Sequence, residues 1–371
     1  MRRALTTLAA LLAVSPTYAY AEGQTVRDTH ASFLDVSARQ KELRMATSSR
    51  VKDAVAHLDS CLKLPAVDAP QGRMIIPRHY LTGSDGPINP AEHEATAPYN
   101  SFERRITAGM NRYLATGDLK EAACAQQQIH QWAQANELLD YDPKESSQAW
   151  YQVEWTLSSI AVTESVLVNN STLDPTMLQQ DKAWLNRVAH RMIDFEVTHP
   201  AHNNHHAWRA LGAVATGVVT GDDKLFQWGI TVFHEEVDQI DARGAFPLEM
   251  QRKENSIHYQ AFALQPLIPI AEFAERQKID LYAYISASGK TIRDAVRFLT
   301  DVVANPDIVK VYTDVPQKLR PLPRDFYCFG EFYVHRFPTL PESVAMKTDM
   351  QEPTYASRIG GSTTVLAGEP R

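Results

Sequence analysis

The chain has 371 residues, 44% of them apolar and 22% charged, with 16 Gly, 21 Pro and 3 Cys. That balance excludes disorder, collagen-like repeats and a disulfide-framework mini-protein, and leaves ample chain for a large core. The formal charge of −7 argues against a nucleic-acid partner, since such binders carry a broad basic surface.

Residues 1–21 read as a Sec-type signal peptide. Arg2 and Arg3 give a positive start, Leu5 to Val14 an apolar stretch, and Ala19-Tyr20-Ala21 a small-x-small cleavage site. The stretch is too short for a bilayer span, and no later segment is long and apolar enough to make one. Export to the periplasm is the expectation, and loss of the two arginines takes the charge to −9. An oxidising compartment permits disulfides. Cys61 and Cys124 lie in the N-terminal third on segments that read as helical, and are expected to pair. Cys328 sits in Phe326-Tyr327-Cys328-Phe329, a setting for a buried free thiol.

Residues 64–100 are rich in Pro and Gly and show no clear period. A stretch this long is functional or structural loop; we read it as a lid over a groove. Amphipathic helices then follow at about 101–116, 118–139, 147–169, 176–197, 205–220, 223–238, 254–275 and 286–304, with short polar breaks. Thr363 to Ala367 is the one expected strand. Many consecutive helices with short connections predict antiparallel pairs around a common core.

Two stretches carry chemistry. The first is His199-Pro-Ala-His202-Asn203-Asn204-His205-His206-Ala207-Trp208, at a helix start. Four histidines in eight residues invite a metal. Yet the segment holds no carboxylate and no H-E-x-x-H, so no metal is expected. Asn203 or Asn204 suits an N-cap, which leaves the other polar groups unexplained. The second stretch runs from Gly244 to Tyr259. If helical, Arg252, Asn255, Ser256 and Tyr259 share one face, either solvated or the wall of a polar site.

Together these motifs resemble the alginate lyase family of periplasmic polysaccharide lyases. The likeness rests on Asn203-Asn204-His205, a two-residue gap and Trp208. Downstream it rests on Pro247-Leu248-Glu249, Arg252, Tyr259 and Ala263-Leu264-Gln265-Pro266-Leu267. Tyr80 in Tyr-x-x-Gly-Ser-Asp, the two N-terminal cysteines and Arg358-Ile359-Gly360-Gly361 extend it over most of the chain. His206 and Ala207 stand where the family usually has Ser and Tyr, and His258 and Gln260 where it has Ala and His. These positions border the sugar site. The resemblance implies an all-α fold: an incomplete (α/α) toroid of antiparallel helix pairs, with residues 22–371 as one domain behind the lid.

It also implies β-elimination on polymannuronate, with polyglucuronate or a broader polyuronate as the alternative. Such a lyase takes the proton on C5 of a uronate and expels the C4 oxygen. The adjacent carboxylate must be neutralised by donors, here Asn204 and Arg252, with His205 adding another. In mannuronate the C5 hydrogen and C4 oxygen lie on one side of the ring, so one residue can serve both steps. The resemblance points to Tyr259, its pKa lowered by Arg252. For the opposite C5 configuration, His205 becomes the base and Tyr259 the acid. Neither route needs a metal or other cofactor.

Tyr80, Trp155, Trp208, His206 and His258 are candidates for sugar contacts; Arg78, Arg252 and Arg358 for carboxylates along the polymer. Trp155 and Trp208 could equally be core, and Arg358 could pair with a structural acid. The partner expected is an anionic polysaccharide, met by a monomer away from any membrane. The rivals are an inverting glycoside hydrolase, which needs two carboxylates about 6.5–9.5 Å apart, and a non-catalytic polysaccharide-binding protein. Glu249 and Glu254 are the acids expected near the motif pair.

Overall fold

Helix starts along the chain are set by short polar caps. In a computed structural model, which describes residues 23–83, 86–199 and 202–369, α1 (Val36–Met45) begins after Asp35 and α2 (Ser49–Ala56) after Ser48. Asn89 caps α3 (Pro90–Thr116), Asp118 caps α4 (Leu119–Gln134) and Ser146 caps α5 (Ser147–Leu167). Asp174 caps α6 (Pro175–Thr198), Asn203 caps α7 (Asn204–Thr220) and Asp222 caps α8 (Asp223–Asp238). In each case a side-chain oxygen accepts a first-turn N–H that no helical carbonyl can reach, worth about 1 kcal/mol per cap. Then follow α9 (Ser256–Arg276), α10 (Ile292–Ala304), α11 (Gly330–Arg336), α12 (Pro341–Asp349) and α13 (Thr363–Ala367). The expected signal peptide lies outside the described residues.

The helices form two concentric layers. α3, α5, α7 and α9 contact one another in series as the inner wall. α4, α6, α8 and α10 pack outside them. The inner helices α5, α7 and α9 are buried nearly all round, as helices enclosed on both sides must be. Between α9 and α3 the ring is completed by α11, α13 and the 3-10 turn Ser357–Ile359 rather than by a further pair. The fold is an all-α incomplete toroid, as expected. Among the described residues β pairing is limited to the isolated bridges Tyr80–Ile88 and Ala356–Gly361.

Several expected boundaries change. The strand at Thr363–Ala367 is a helical turn. Its β-branched residues find no partner strand, and the Arg39 guanidinium instead collects the carbonyls of Thr364, Val365 and Gly368. The lid region is shorter, because α3 starts at Pro90: proline lacks the N–H that a first-turn position would leave unpaired. The helix expected over 118–139 stops at Gln134, and Asn136 and Leu138 take positive φ. The one expected from 286 starts at Ile292, where Thr291 and Asp294 form a capping box. Cys61 lies in a turn after α2 rather than on a helix, but the Cys61–Cys124 disulfide is present, and Cys328 is a buried free thiol.

The loop before α3 is in two parts. Residues 67–76 are pinned: Val67 exchanges hydrogen bonds with Gln128, Met74 N–H donates to the Asp140 carbonyl, and Ile76 exchanges two bonds with Ser146 Oγ. Residues 78–83 and 86–88 belong to a flap held by the Tyr80–Ile88 bridge and the Asn89 N–H to His79 carbonyl bond.

Candidate active site

The two chemistry-bearing stretches meet at one groove of about 960 Å³. Its walls come from the flap (Arg78, Tyr80), from α5 (Tyr151, Trp155), from the start of α7 (Asn203, Asn204, His205) and from the entry to α9 (Arg252, His258, Tyr259). The segment 318–326 and Arg358 close the far side.

Asn203 caps α7, its side chain accepting the His205 N–H at 3.2 Å. That frees Asn204 and His205 for the interior. The Asn204 amide is held by Glu249, whose carboxylate accepts the backbone N–H at 2.6 Å and the side-chain Nδ2 at 3.1 Å. Glu249 also faces Arg252 Nε at 3.7 Å. One buried acid thereby positions two donors from different elements.

His205 is held from below. Its Nδ1 lies 2.6 Å from Glu154 Oε1, and the other Glu154 oxygen accepts from Arg209 at 2.8 Å. With Arg209 on one oxygen, the other accepts the Nδ1 hydrogen, so the lone pair is on Nε2. The ring stacks on Tyr151 with centroids 3.7 Å apart. Burial, then the nearby Arg209, Arg252 and Arg358 charges, hold the imidazole pKa well below its usual value, against the pull of Glu249. His205 is therefore neutral.

Tyr259 differs from the expectation drawn from its neighbours. Arg252 does sit over its ring, 4.3 Å from the centroid. Burial and the Tyr80 hydroxyl, 3.3 Å from the Tyr259 hydroxyl, nevertheless outweigh that cation and push the phenol pKa up. Tyr259 rests protonated.

The sequence profile of the alginate lyase family matches residues 40–309. The chain belongs to that family. A polysaccharide lyase of Stenotrophomonas maltophilia is 28% identical over 78% of this chain and 86% of its own length. The crystal structure of alginate lyase A1-III from Sphingomonas species A1 superposes with TM-score 0.84 at 37% identity, covering 92% of this chain and 97% of that one. A substituted form of that enzyme, complexed with a tetrasaccharide, gives TM-score 0.87 at 36% identity over 94% and 98%.

In this alginate lyase family chain most of the expected site residues share the groove: Asn204, His205, Arg252 and Tyr259, then Tyr80, Arg78, Trp155, His258 and Arg358. Arg358 lies over the Trp155 ring at 3.9 Å. The turn Gly360-Gly361 places it there; both glycines have positive φ, and a Cβ on Gly361 would meet Asn111 Oδ1 at 2.7 Å. Arg358 therefore lines the groove, and the buried acid Glu103 interacts with its charge.

Two expected site residues are elsewhere. Trp208 is fully buried, packed on Phe262 at 5.2 Å, and is core. One helical residue turns the side chain by about 100°, so His206 points away from the groove that His205 lines, between Glu196 and Glu235. Gln260 is likewise buried, tying Phe246 and Gly244. Ser256 does not join Arg252 and Tyr259 on a helical face. α9 begins only at Ser256, whose hydroxyl donates inward to the Met250 carbonyl.

Sequence reasoning missed Glu154, Tyr151, Lys318 and Arg320. Glu154 carried a signal, a charged residue on a stripe of buried apolar positions. Lys318 and Arg320 lie in an irregular loop without one. With Arg78, Arg252 and Arg358 they make the groove locally basic against Glu92 and Asp325, although the chain as a whole is acidic.

Proposed function

We propose that this protein depolymerises alginate by β-elimination at mannuronate, leaving an unsaturated 4-deoxy-uronate at the new non-reducing end. The observation that carries the reading is the meeting of Asn204, His205, Arg252 and Tyr259 in one basic groove. Arg252 and the Asn204 amide neutralise the uronate carboxylate, so that negative charge can develop on it as the C5 proton leaves. Glu249 holds both donors. Tyr259 takes the C5 proton and returns one to the C4 oxygen, both on the same face of the ring. It must first release its own proton to solvent, and the charge of Arg252 over its ring assists that loss. No metal enters these steps. Trp155 and Tyr80 supply sugar contacts; Arg78 and Arg358 take carboxylates of flanking residues.

The resting protonation supports a second reading for the opposite C5 configuration. A neutral His205 with a free Nε2 is a competent base, and a protonated Tyr259 a competent acid. Hydrolysis is less well supported: Glu154 and Glu249 are engaged in holding His205, Arg209 and Asn204. We read residues 1–21 as an export leader to the periplasm, which cell fractionation tests; the monomeric state is tested by sedimentation.

The activity test incubates the protein with polymannuronate, polyguluronate and polyglucuronate and follows ultraviolet absorbance of the unsaturated ends. Fastest growth on polymannuronate is expected. Fastest growth on polyguluronate selects the His205 route, and on polyglucuronate the alternative substrate. Reducing ends without absorbance point to hydrolysis. Binding without products leaves a binding protein.

A further inference from the structure

The histidine-rich segment has a second face that the groove does not use. His206 points outward from α7 toward α8, with its Nε2 3.0 Å from Glu235 Oε2. The His202 ring stands edge-on to it, with centroids 5.7 Å apart. One ligand atom from each of His202, His206 and Glu235 lies within 4.8 Å of the others. None of the three lines the groove. The carboxylate that the sequence segment lacks is brought in by α8.

We propose that His202, His206 and Glu235 form a binding site for a divalent transition metal of the zinc class, separate from the catalytic groove. Two imidazoles and one carboxylate are a ligand set that Zn²⁺ accepts, with solvent in the fourth position. Ligands at about 2.0 Å from a tetrahedral ion are about 3.3 Å apart, close to the His206–Glu235 separation. His202 is exposed and precedes the helix, so it closes the remaining gap by a side-chain rotation. Glu235 is partly exposed, which gives solvent access to the open position.

The outer groups fit the same role. His206 Nδ1 donates to Glu196 Oε1 at 2.8 Å, and Glu196 is anchored by the buried Arg209 at 2.6 Å. A carboxylate behind an imidazole fixes its orientation and raises its basicity toward a metal. Trp228 packs edge-on to the same ring at 5.8 Å, closing one side with apolar surface. Glu236 adds a further acid close enough to interact with His206. A metal here ties the start of α7, and with it Asn204 and His205, to α8.

The test is isothermal titration of the untagged chain with Zn²⁺, with Co²⁺ as a spectroscopic probe and thermal melting as an independent readout. One Zn²⁺ per chain, a raised melting temperature and a tetrahedral Co²⁺ absorption are expected. His202→Ala and Glu235→Gln, both at accessible positions, each lower Zn²⁺ affinity by at least about tenfold and remove the Zn²⁺-induced melting shift, measured against each variant's own metal-free melting temperature. Absence of stoichiometric binding overturns the site, as does binding that either variant leaves intact. Neither result bears on the activity on polyuronates, because the readouts are binding and melting.

Discussion

Glu154 Oε1 stands 2.6 Å from His205 Nδ1, while its second oxygen takes Arg209. A fully buried carboxylate from α5 thus sets which nitrogen of a groove histidine keeps its lone pair. Glu154→Gln retains the volume but can present an N–H to Nδ1 instead. We expect kcat to fall at least about tenfold with KM little changed, as when the orienting acid of a catalytic histidine is amidated. Circular dichroism checks the fold. A loss confined to KM would assign Glu154 to substrate binding instead.

Tyr259→Phe removes the phenol and leaves the ring under Arg252. Turnover should fall by about 10²–10⁴, the range for a lost general acid–base, while oligouronate affinity by calorimetry stays within a few-fold. Substantial residual turnover would move the proton transfer to another residue.

The Tyr80 hydroxyl is one of the groups that raise the Tyr259 pKa. Tyr80→Phe removes it, so the Tyr259 pKa falls. The limb of the pH–rate profile governed by Tyr259 should move to lower pH, whether Tyr259 acts as base or as acid. An unmoved limb in a still active variant would mean that the limb belongs to another group.

Glu164 on α5 is buried beside Asp181, and its Oε1 has no hydrogen-bond partner. Burial and the Asp181 charge lift its pKa from 4.5 to about 8. The folded chain therefore keeps a proton that the unfolded chain releases, and stability contributed here declines as pH rises from about 4.5 to 8. Glu164→Gln should melt higher than the parent at pH 8 and alike at pH 4. A difference equal at both pH values would show that the carboxyl ionises freely in the fold.

The Cys61–Cys124 bridge closes a loop with sequence separation 63. Chain-entropy reasoning gives it about 4 kcal/mol. The double variant Cys61→Ala/Cys124→Ala should show a clearly lowered denaturation midpoint in urea. An unchanged midpoint would mean that the unfolded chain is already compact in this region.

Helix class and order were legible in the sequence, because a 3.6-residue apolar period and capping residues are local properties of the chain. The length of α8 and the start of α7 could be read almost to the residue. So could the identity of the groove residues Asn204, His205, Arg252 and Tyr259, through the two motifs that carry them. Side-chain direction was not legible. His205 and His206 are neighbours in sequence, yet α7 turns one to the groove and the other to Glu196 and Glu235. Trp208 looked like Trp155, but only Trp155 meets the groove, under Arg358.

Ionisation was the other property left to the tertiary structure. Arg252 beside Tyr259 suggested a lowered pKa; burial and Tyr80, brought from 179 positions away in the chain by the flap, reversed the sign. Desolvation and long-range partners depend on what the fold packs around a group, and no spacing along the chain encodes that. The sequence by itself determined an all-helical chain and the two motifs of a uronate site. Only the toroid decided which residues face the groove, which acids hold them, and in which protonation state they wait.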